Sequence, residues 1–570
     1  APNRPSAIRI ILTYRDEELL TLKRGRDSQT STEHFDTIVV GAGFAGLYAL
    51  HRMRGLGLDT KVIEAAPDVG GTWYWNRYPG ARCDVESVEY CYSFSTEIDQ
   101  EWSWTERYAS QPEILKYLQF VADRLDLRCD ILFETRVRSG HFNESENLWE
   151  LTTSIGQKFT ARYCIMASGN LTVPSLPNIP GIEDFAGEII HTADWPSEPQ
   201  DFSRKRVGVI GTGSSGCQVI PILAERAKEL VVFQRTPNHC LPAHNGPIEP
   251  EYYSRLKQRY SELRRRWRSS PLGTSWPVGT RSAMDVSERE RQAVYQHRWD
   301  VGGASIVASF DDLFISREAN DSMADFVRGK VREIVDDSDV AEQLVPADHP
   351  MGAKRVTLVT NYYEAFNRDN VRLVAASRAP IKHAAEDGIV AGDELIPLDV
   401  LVCATGFDAI TGALLRIDIR GRDDVRLKDL WQDGPETMLG LMVAGLPNMF
   451  IVTGPGSPSV LSNVVVSIEQ HIDWIADCIE HLERKGFATI EAEPAAQQRW
   501  MAHVDEVAAM TLFPQAKSWY SGDNIEGKPS RFTVYVGGLQ GYREALEGAA
   551  EAEYRDFVLT KSSVRDGAIA

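Results

Sequence analysis

The chain of 570 residues has no Cys-x-x-Cys pair, and its eight cysteines (Cys83, Cys91, Cys129, Cys164, Cys217, Cys240, Cys403 and Cys478) are scattered without zinc-ligand spacing. That argues against a dithiol redox centre and against a metal site, and casts most of them as small buried hydrophobes. A chain this large does not need disulfides to stabilise its core. Long apolar runs are missing too: the most hydrophobic segment, Leu439 to Thr453, is interrupted by Gly445 and Pro447, short of the roughly 20 residues that span a bilayer. Positive charge is in the minority, 61 Lys and Arg against 81 Asp and Glu, for a net charge of −20. Such a surface speaks against nucleic acid or an anionic membrane as partner. The N-terminal APNRPSAIRIILTYRDEELL carries early arginines but no apolar centre or small-residue cleavage site of a secretory signal, so a cytoplasmic protein is expected.

At 43% hydrophobic and 25% charged residues, the composition is that of a globular protein, and the length implies two or three domains. Two glycine-rich loops organise them. GAGFAG (Gly41, Gly43, Gly46) follows the apolar run Phe35 to Val40, and GTGSSG (Gly211, Gly213, Gly216) follows Val207 to Ile210. Each reads as strand, tight turn and helix, where glycines let the backbone approach a pyrophosphate and the helix N-terminus meets its charge. Each is followed by a second apolar strand with a charged residue at its end: Glu64, 23 positions after Gly41, and Arg235, 24 after Gly211. A carboxylate there accepts bonds from ribose hydroxyls and repels a 2′-phosphate, which suits FAD or NAD; a guanidinium favours the 2′-phosphate of NADP. The expected fold is therefore α/β, with two Rossmann-like dinucleotide-binding domains.

ARYCIMASG (161–169) and DVLVCATGF (399–407) each look like a buried strand ending in small residues that brings backbone against a dinucleotide. Between Leu241 and Val345 strand character gives way to charged helices, including Tyr252 to Arg268 and Asp321 to Val335, as in a helical insertion in the NADP domain. Arg264, Arg265 and Arg266 read there as a solvated helix face. The expected division is an N-terminal extension (1–34), a first FAD-binding part (35–169), a first NADP-binding part (170–240), the helical insertion (241–350), a second NADP-binding part (351–400), and a second FAD-binding part with the C-terminal segment (401–570).

Between the loops, FAGEIIHTADWP holds Phe185, Gly187, His191, Trp195 and Pro196 in the spacing FxGxxxHxxxWP. Here the sequence closely resembles the type I Baeyer–Villiger monooxygenases, nearest their phenylacetone and steroid branch. The resemblance runs over about residues 35 to 545, through GGTWYWNRYPGARCDVES, KRVTLVTNYYEAFNRDNV, ATGFD, GPGSPSVLSN and SWYSGDNIEGKP. It implies an enzyme in which NADPH reduces FAD and one oxygen atom of dioxygen is inserted beside a ketone carbonyl, through a flavin peroxide, giving an ester or lactone. By the same resemblance Arg355 is the active-site cation and Asp84 its acidic partner. Trp73 joins the cofactor-binding residues, Lys354 acts with Arg235 and Thr236 at the 2′-phosphate, and Trp519 meets the nicotinamide ribose. Ser459, Val460 and Leu461 line the substrate side, while His191 and Trp195 couple domain movement to cofactor handling. A monomer or weak homo-oligomer is expected, with a small-molecule ketone and dioxygen as partners. The nearest rival is an N-hydroxylating or flavin-containing monooxygenase acting on nitrogen or sulfur, whose chemistry does not call for the Asp84 and Arg355 pair.

Overall fold

The computed structural model describes residues 32–561, so all but the end of the expected N-terminal extension lies outside the described residues. The chain forms two large sheets in an order that starts in one, crosses to the other and returns. The first strand, β1 (Glu33–Val40), opens two residues ahead of the boundary expected at Phe35. Its last four residues are buried and lead through the first glycine loop into α1 (Phe44–Gly55). Then come β2 (Thr60–Ile63), β3 (Ile131–Leu132), β4 (Val137–Asn143), β5 (Leu148–Thr153) and β6 (Lys158–Met166). β1 lies between β2 and β6, parallel to both.

The second sheet takes β7 (Glu188–His191), β8 (Arg206–Ile210), β9 (Glu229–Gln234), β10 (Val371–Ala375) and β11 (Val400–Cys403). α2 (Ser214–Arg226) follows β8 through the second glycine loop. The order is β10-β9-β8-β11-β7, every pair parallel. Parallel strands covered on both faces are apolar almost throughout, and the four residues of β11 are all buried. The boundary expected at residue 401 is corrected by β11: it sits between β8 and β7, so the second sheet keeps the chain to Cys403.

The chain then rejoins the first sheet as β12 (Asp418–Arg420), parallel to β4, and β13 (Met449–Ile451), parallel to β6. β6 accommodates this by dividing its edge. Residues 158–161 pair antiparallel with β5, and Cys164 to Met166 with β13. The long helix α3 (Val464–Lys485) packs back on α1.

Between β9 and β10 the chain is helical at Pro250–Gln258, Tyr260–Arg268, Glu288–Val301, Arg317–Ile334 and Ser338–Leu344, partly around a core of their own with Tyr295, Met323 and Val327. The single helix expected over 252–268 is two, broken at Arg259. The arginine run also needs correction. Arg265 and Arg266 are exposed, but Arg264 is buried, 2.7 Å from Asp99 and lying over the Tyr260 and Trp267 rings, because one helix face turns inward on Cys91. No helix among the described residues is long and apolar enough to cross a membrane.

Trp149 shows how the returning chain is held. It is fully buried in β5, and its Nε1 donates to the Pro447 carbonyl at 2.7 Å, just ahead of β13. Trp149→Ala is expected to cost about 3–5 kcal/mol, the range for losing a large buried aromatic, read as a lower urea midpoint. Trp149→Phe, which keeps most of the packing and leaves one carbonyl unpaired, should fall between it and the parent; an unchanged midpoint in Trp149→Ala would refute this anchoring.

Candidate active site

The two loops are built alike. Gly41 and Gly211 both have φ of +105°, and a Cβ on either would come within 2.6 Å of the Ala167 carbonyl oxygen or 2.5 Å of that of Ala404. Those carbonyls belong to ARYCIMASG and DVLVCATGF, so each such segment presses on the first glycine of its loop. Gly46 and Gly216 let α1 and α2 start against the loop, since a Cβ on either would overlap the carbonyl of its own first glycine. A Cβ on Gly43 would touch Gly71 at 3.4 Å, whereas one on Gly213 would meet no protein atom within 4 Å. The room kept clear at Gly213 is thus room for a ligand.

Both loops open on one cleft of about 2340 Å³ at the C-terminal ends of β1 and β8, where doubly wound sheets bind their ligands. In its wall Glu64 is only 5% exposed. One carboxylate oxygen accepts from the Ala42 amide at 2.6 Å, the other from the Ala66 amide at 2.7 Å. Burial raises its pKa and these amides pull it back down.

Arg235 follows β9 directly and faces the cleft beside Thr236, whose carbonyl accepts from Thr212 Oγ1 at 3.1 Å. Lys354 joins them from far along the chain. Burial lowers the Lys354 pKa and the Arg235 charge lowers it further, while Asp348, 3.9 Å away, raises it. Arg235 and Lys354 thus both bring positive charge to the cleft.

At the centre Arg355 and Asp84 meet. Arg355 Nε donates to Asp84 Oδ2 at 3.0 Å, Nη2 reaches both carboxylate oxygens at 2.8 Å, and Nη1 donates to the Val460 carbonyl at 2.6 Å. Burial works to lower the Arg355 pKa, but the charge and hydrogen bonds of Asp84 outweigh it and hold it above its ordinary value. The Arg355 side chain is 31% exposed and that of Asp84 21%, and both line the cleft. Tyr520 packs beside it, its hydroxyl pushed up to about 12 by burial with Arg355 pulling the other way.

Of the three residues expected on the substrate side, only Val460 lines the cleft. Ser459, with φ of +39°, is fully buried and accepts from Asn170 Nδ2 at 2.6 Å. Leu461 packs into the apolar cluster around Tyr520 and Phe532. Trp73 lines the cleft with its Nε1 on the Tyr90 hydroxyl at 3.2 Å, and Trp519 lines it with its ring 4.6 Å from that of Tyr520. Sequence reasoning missed Tyr520, Asn170 and Asp348. Tyr520 lies within SWYSGDNIEGKP and Asn170 directly follows ARYCIMASG, whereas nothing around Asp348 signals its place.

The model of the flavin-binding monooxygenase-like family matches residues 36–246. A phenazine N-monooxygenase of Lysobacter antibioticus is 43% identical to this chain over 92% of it and 97% of its own length. A cyclohexanone 1,2-monooxygenase of an Acinetobacter species is 42% identical over 94% and 99%. Among solved structures, an oxidized steroid monooxygenase bound to NADP matches with a TM-score of 0.89 at 48% identity, covering 93% of this chain and all of its own. OTEMO in complex with FAD and NADP matches at 0.90 and 43%, with the same coverage. The chain belongs to the Baeyer–Villiger monooxygenases of the flavin-binding monooxygenase-like family.

None of the five fingerprint residues of this Baeyer–Villiger chain lines the cleft. Phe185 is buried under the second sheet, and Gly187 carries no Cβ because the Phe185 ring and the Asp399 carbonyl fill that space. Trp195 is buried against Phe202, with Pro196 half-buried after it. His191, at the end of β7, is fully buried, and burial pushes its pKa down to about 4. Its Nδ1 accepts from the Ala193 amide at 3.0 Å, which leaves the proton on Nε2, 3.3 Å from Thr405 Oγ1. The Thr405 hydroxyl in turn donates to the Ser175 carbonyl at 2.5 Å. One tautomer therefore stitches β7 and the linker to the ATGF turn.

Unfolded, a histidine titrates near 6.5, so between about 4 and 6.5 the unfolded chain binds more protons than the folded one. The stability His191 contributes is complete above about pH 6.5 and is lost as the pH falls toward 4. Nitrogen-15 NMR at about pH 6 should find His191 neutral with its proton on Nε2; a doubly protonated ring there would refute the assignment.

Proposed function

We propose that this chain is an NADPH- and FAD-dependent Baeyer–Villiger monooxygenase that inserts one oxygen atom of dioxygen beside the carbonyl of a small-molecule ketone, giving an ester or lactone. The observation that carries this reading is the Asp84–Arg355 pair, open to a cleft shared by two phosphate loops. The first loop, with Glu64 holding its carboxylate at the strand end, fits the adenosine ribose and pyrophosphate of FAD. The second, with Arg235, Thr236 and Lys354, fits the 2′-phosphate of NADPH. The division into an FAD-binding unit made of two stretches of chain, an NADP-binding unit and a helical insertion is part of this reading. So are a cytoplasmic, monomeric or weakly associating protein, and roles for Trp73 and Trp519 against the cofactors.

When bound, the flavin takes electrons from NADPH and activates dioxygen, and the protein's share is to place, charge and shield it. Arg355 supplies charge and not a proton: its raised pKa keeps the guanidinium cationic throughout. Asp84 sets its plane through two parallel bonds and Val460 fixes a third side. A cation held this way is oriented before the reaction and needs no reorganisation to stabilise negative charge developing beside it. Val460, Val464 and Ile468 give the same cleft an apolar wall, suited to the hydrocarbon part of a ketone.

A second reading, oxygen transfer to nitrogen, is favoured by the phenazine N-monooxygenase at 43% identity. It keeps the cofactors and changes the acceptor, so product mass on ketone and aromatic N-heterocycle panels separates the two.

Arg355→Ala should still be reduced by NADPH yet lose ester formation by about 10²–10³-fold, the scale for removing one preorganised electrostatic group; ester at the parent rate would sink its role. Arg235→Ala should narrow the NADPH-over-NADH preference in kcat/KM by about 1–3 kcal/mol, as for a charge-assisted contact. An unchanged ratio rejects its assignment to the 2′-phosphate.

A further inference from the structure

Helix α2 is bonded to the two chain segments that carry the central ion pair. On the aspartate side, Gln218 is bonded to the segment two residues ahead of Asp84. Its Oε1 accepts from the Tyr78 hydroxyl at 2.7 Å and the Arg82 amide at 3.4 Å, and its Nε2 donates to the Arg82 carbonyl at 3.0 Å. The turn between them lies directly on the helix, since a Cβ on Gly80 would overlap the Gln218 carbonyl. On the arginine side, Ser214 Oγ is 3.4 Å from Thr357 Oγ1. Asn238, just beyond Arg235 and Thr236, donates through Nδ2 to that same hydroxyl and to the Arg355 carbonyl, both at 3.0 Å. Ser214 and Gln218 belong to the first five residues of α2, the helix whose N-terminus opens the second phosphate loop.

The backbones bearing Asp84 and Arg355 therefore share one reference body, and it is the element that meets the donor nucleotide. We propose that Gln218 is a positioning residue through which α2 sets the place of Asp84, so that occupation of the NADP site and the geometry of the Arg355 cation are thermodynamically linked. Gln218 suits this because a neutral amide can accept from one side of the Tyr78–Arg82 turn and donate to the other, locking its height on the helix without adding charge beside the ion pair. Linkage is reciprocal: if α2 transmits nucleotide binding to the pair, a change at the pair alters nucleotide affinity by the same factor.

The inference rests on the second loop being the NADP site. The test is a double-mutant cycle on NADP⁺ dissociation constants, read from the flavin absorbance of FAD-loaded protein without ketone, with parent, Gln218→Ala, Arg355→Ala and the double variant. Arg355→Ala should change the constant by about 5-fold or more, the lower range of coupling between sites, and by far less once Gln218 is Ala. Gln218→Ala should also form less ester per NADPH consumed at unchanged flavin content. An Arg355→Ala effect that is absent, or equal in both backgrounds, overturns the inference, as does a parental ester yield in Gln218→Ala. Should Gln218→Ala fail to retain flavin, Tyr78→Phe takes its place in the same cycle. Arg235→Ala run alongside keeps the two failures apart: if it weakens NADP⁺ no more than NAD⁺, the assignment of the second loop falls, whatever the cycle returns.

Discussion

The bidentate contact of Arg355 with Asp84 joins two segments 271 residues apart in sequence, and most of the architecture can be understood as what that contact requires. A guanidinium and a carboxylate withdrawn from water lose solvation that their attraction repays only in good geometry with the remaining donors satisfied. Here Nε and Nη2 are used on the aspartate and Nη1 on the Val460 carbonyl. The pair must also stay open on one side, because a fully enclosed charge could do nothing for a substrate. That combination explains why its supports come from the first sheet, the second sheet and the returning chain together.

The crossing topology follows. β1 and β8 each present a glycine loop, and β6 and β11, their neighbours, each end in a carbonyl that presses on the first glycine. The duplication gives two phosphate cradles with one set of backbone rules, and the strand-end charges of Glu64 and Arg235 distinguish them. The fingerprint residues between the two lie away from the cleft lining, where the His191 tautomer bonded to Ala193 and Thr405 ties linker to sheet.

Much of this was legible in the sequence because the signals are local. A glycine loop between an apolar strand and a helix is dictated by sterics over six residues, and the charge at the next strand end lies a fixed distance further on. What went astray depended on packing at longer range. Arg264 belongs to a run that reads as solvated, yet an inward helix face and Asp99, 165 positions earlier, make it buried. Ser459 and Leu461 read as pocket residues alongside Val460, but Ser459 is bonded to Asn170 and Leu461 packs on the cluster around Tyr520 and Phe532. The edge at residue 401 fell inside a strand, because an apolar run carries no mark of the sheet it will join.

By itself, the sequence determined that two glycine loops follow apolar strands and that the next strand ends carry charges of opposite sign, Glu64 and Arg235, since those properties reside in short segments whose conformation is set by neighbouring residues. Only the tertiary structure decided that Asp84 and Arg355 share three hydrogen bonds, that of Ser459, Val460 and Leu461 only Val460 lines the cleft, and that α2 is bonded to the segments on both sides of the ion pair. Those are distances between segments far apart in the chain. They are set by how the two sheets pack, a collective balance of burial and hydrogen bonding that no local pattern encodes.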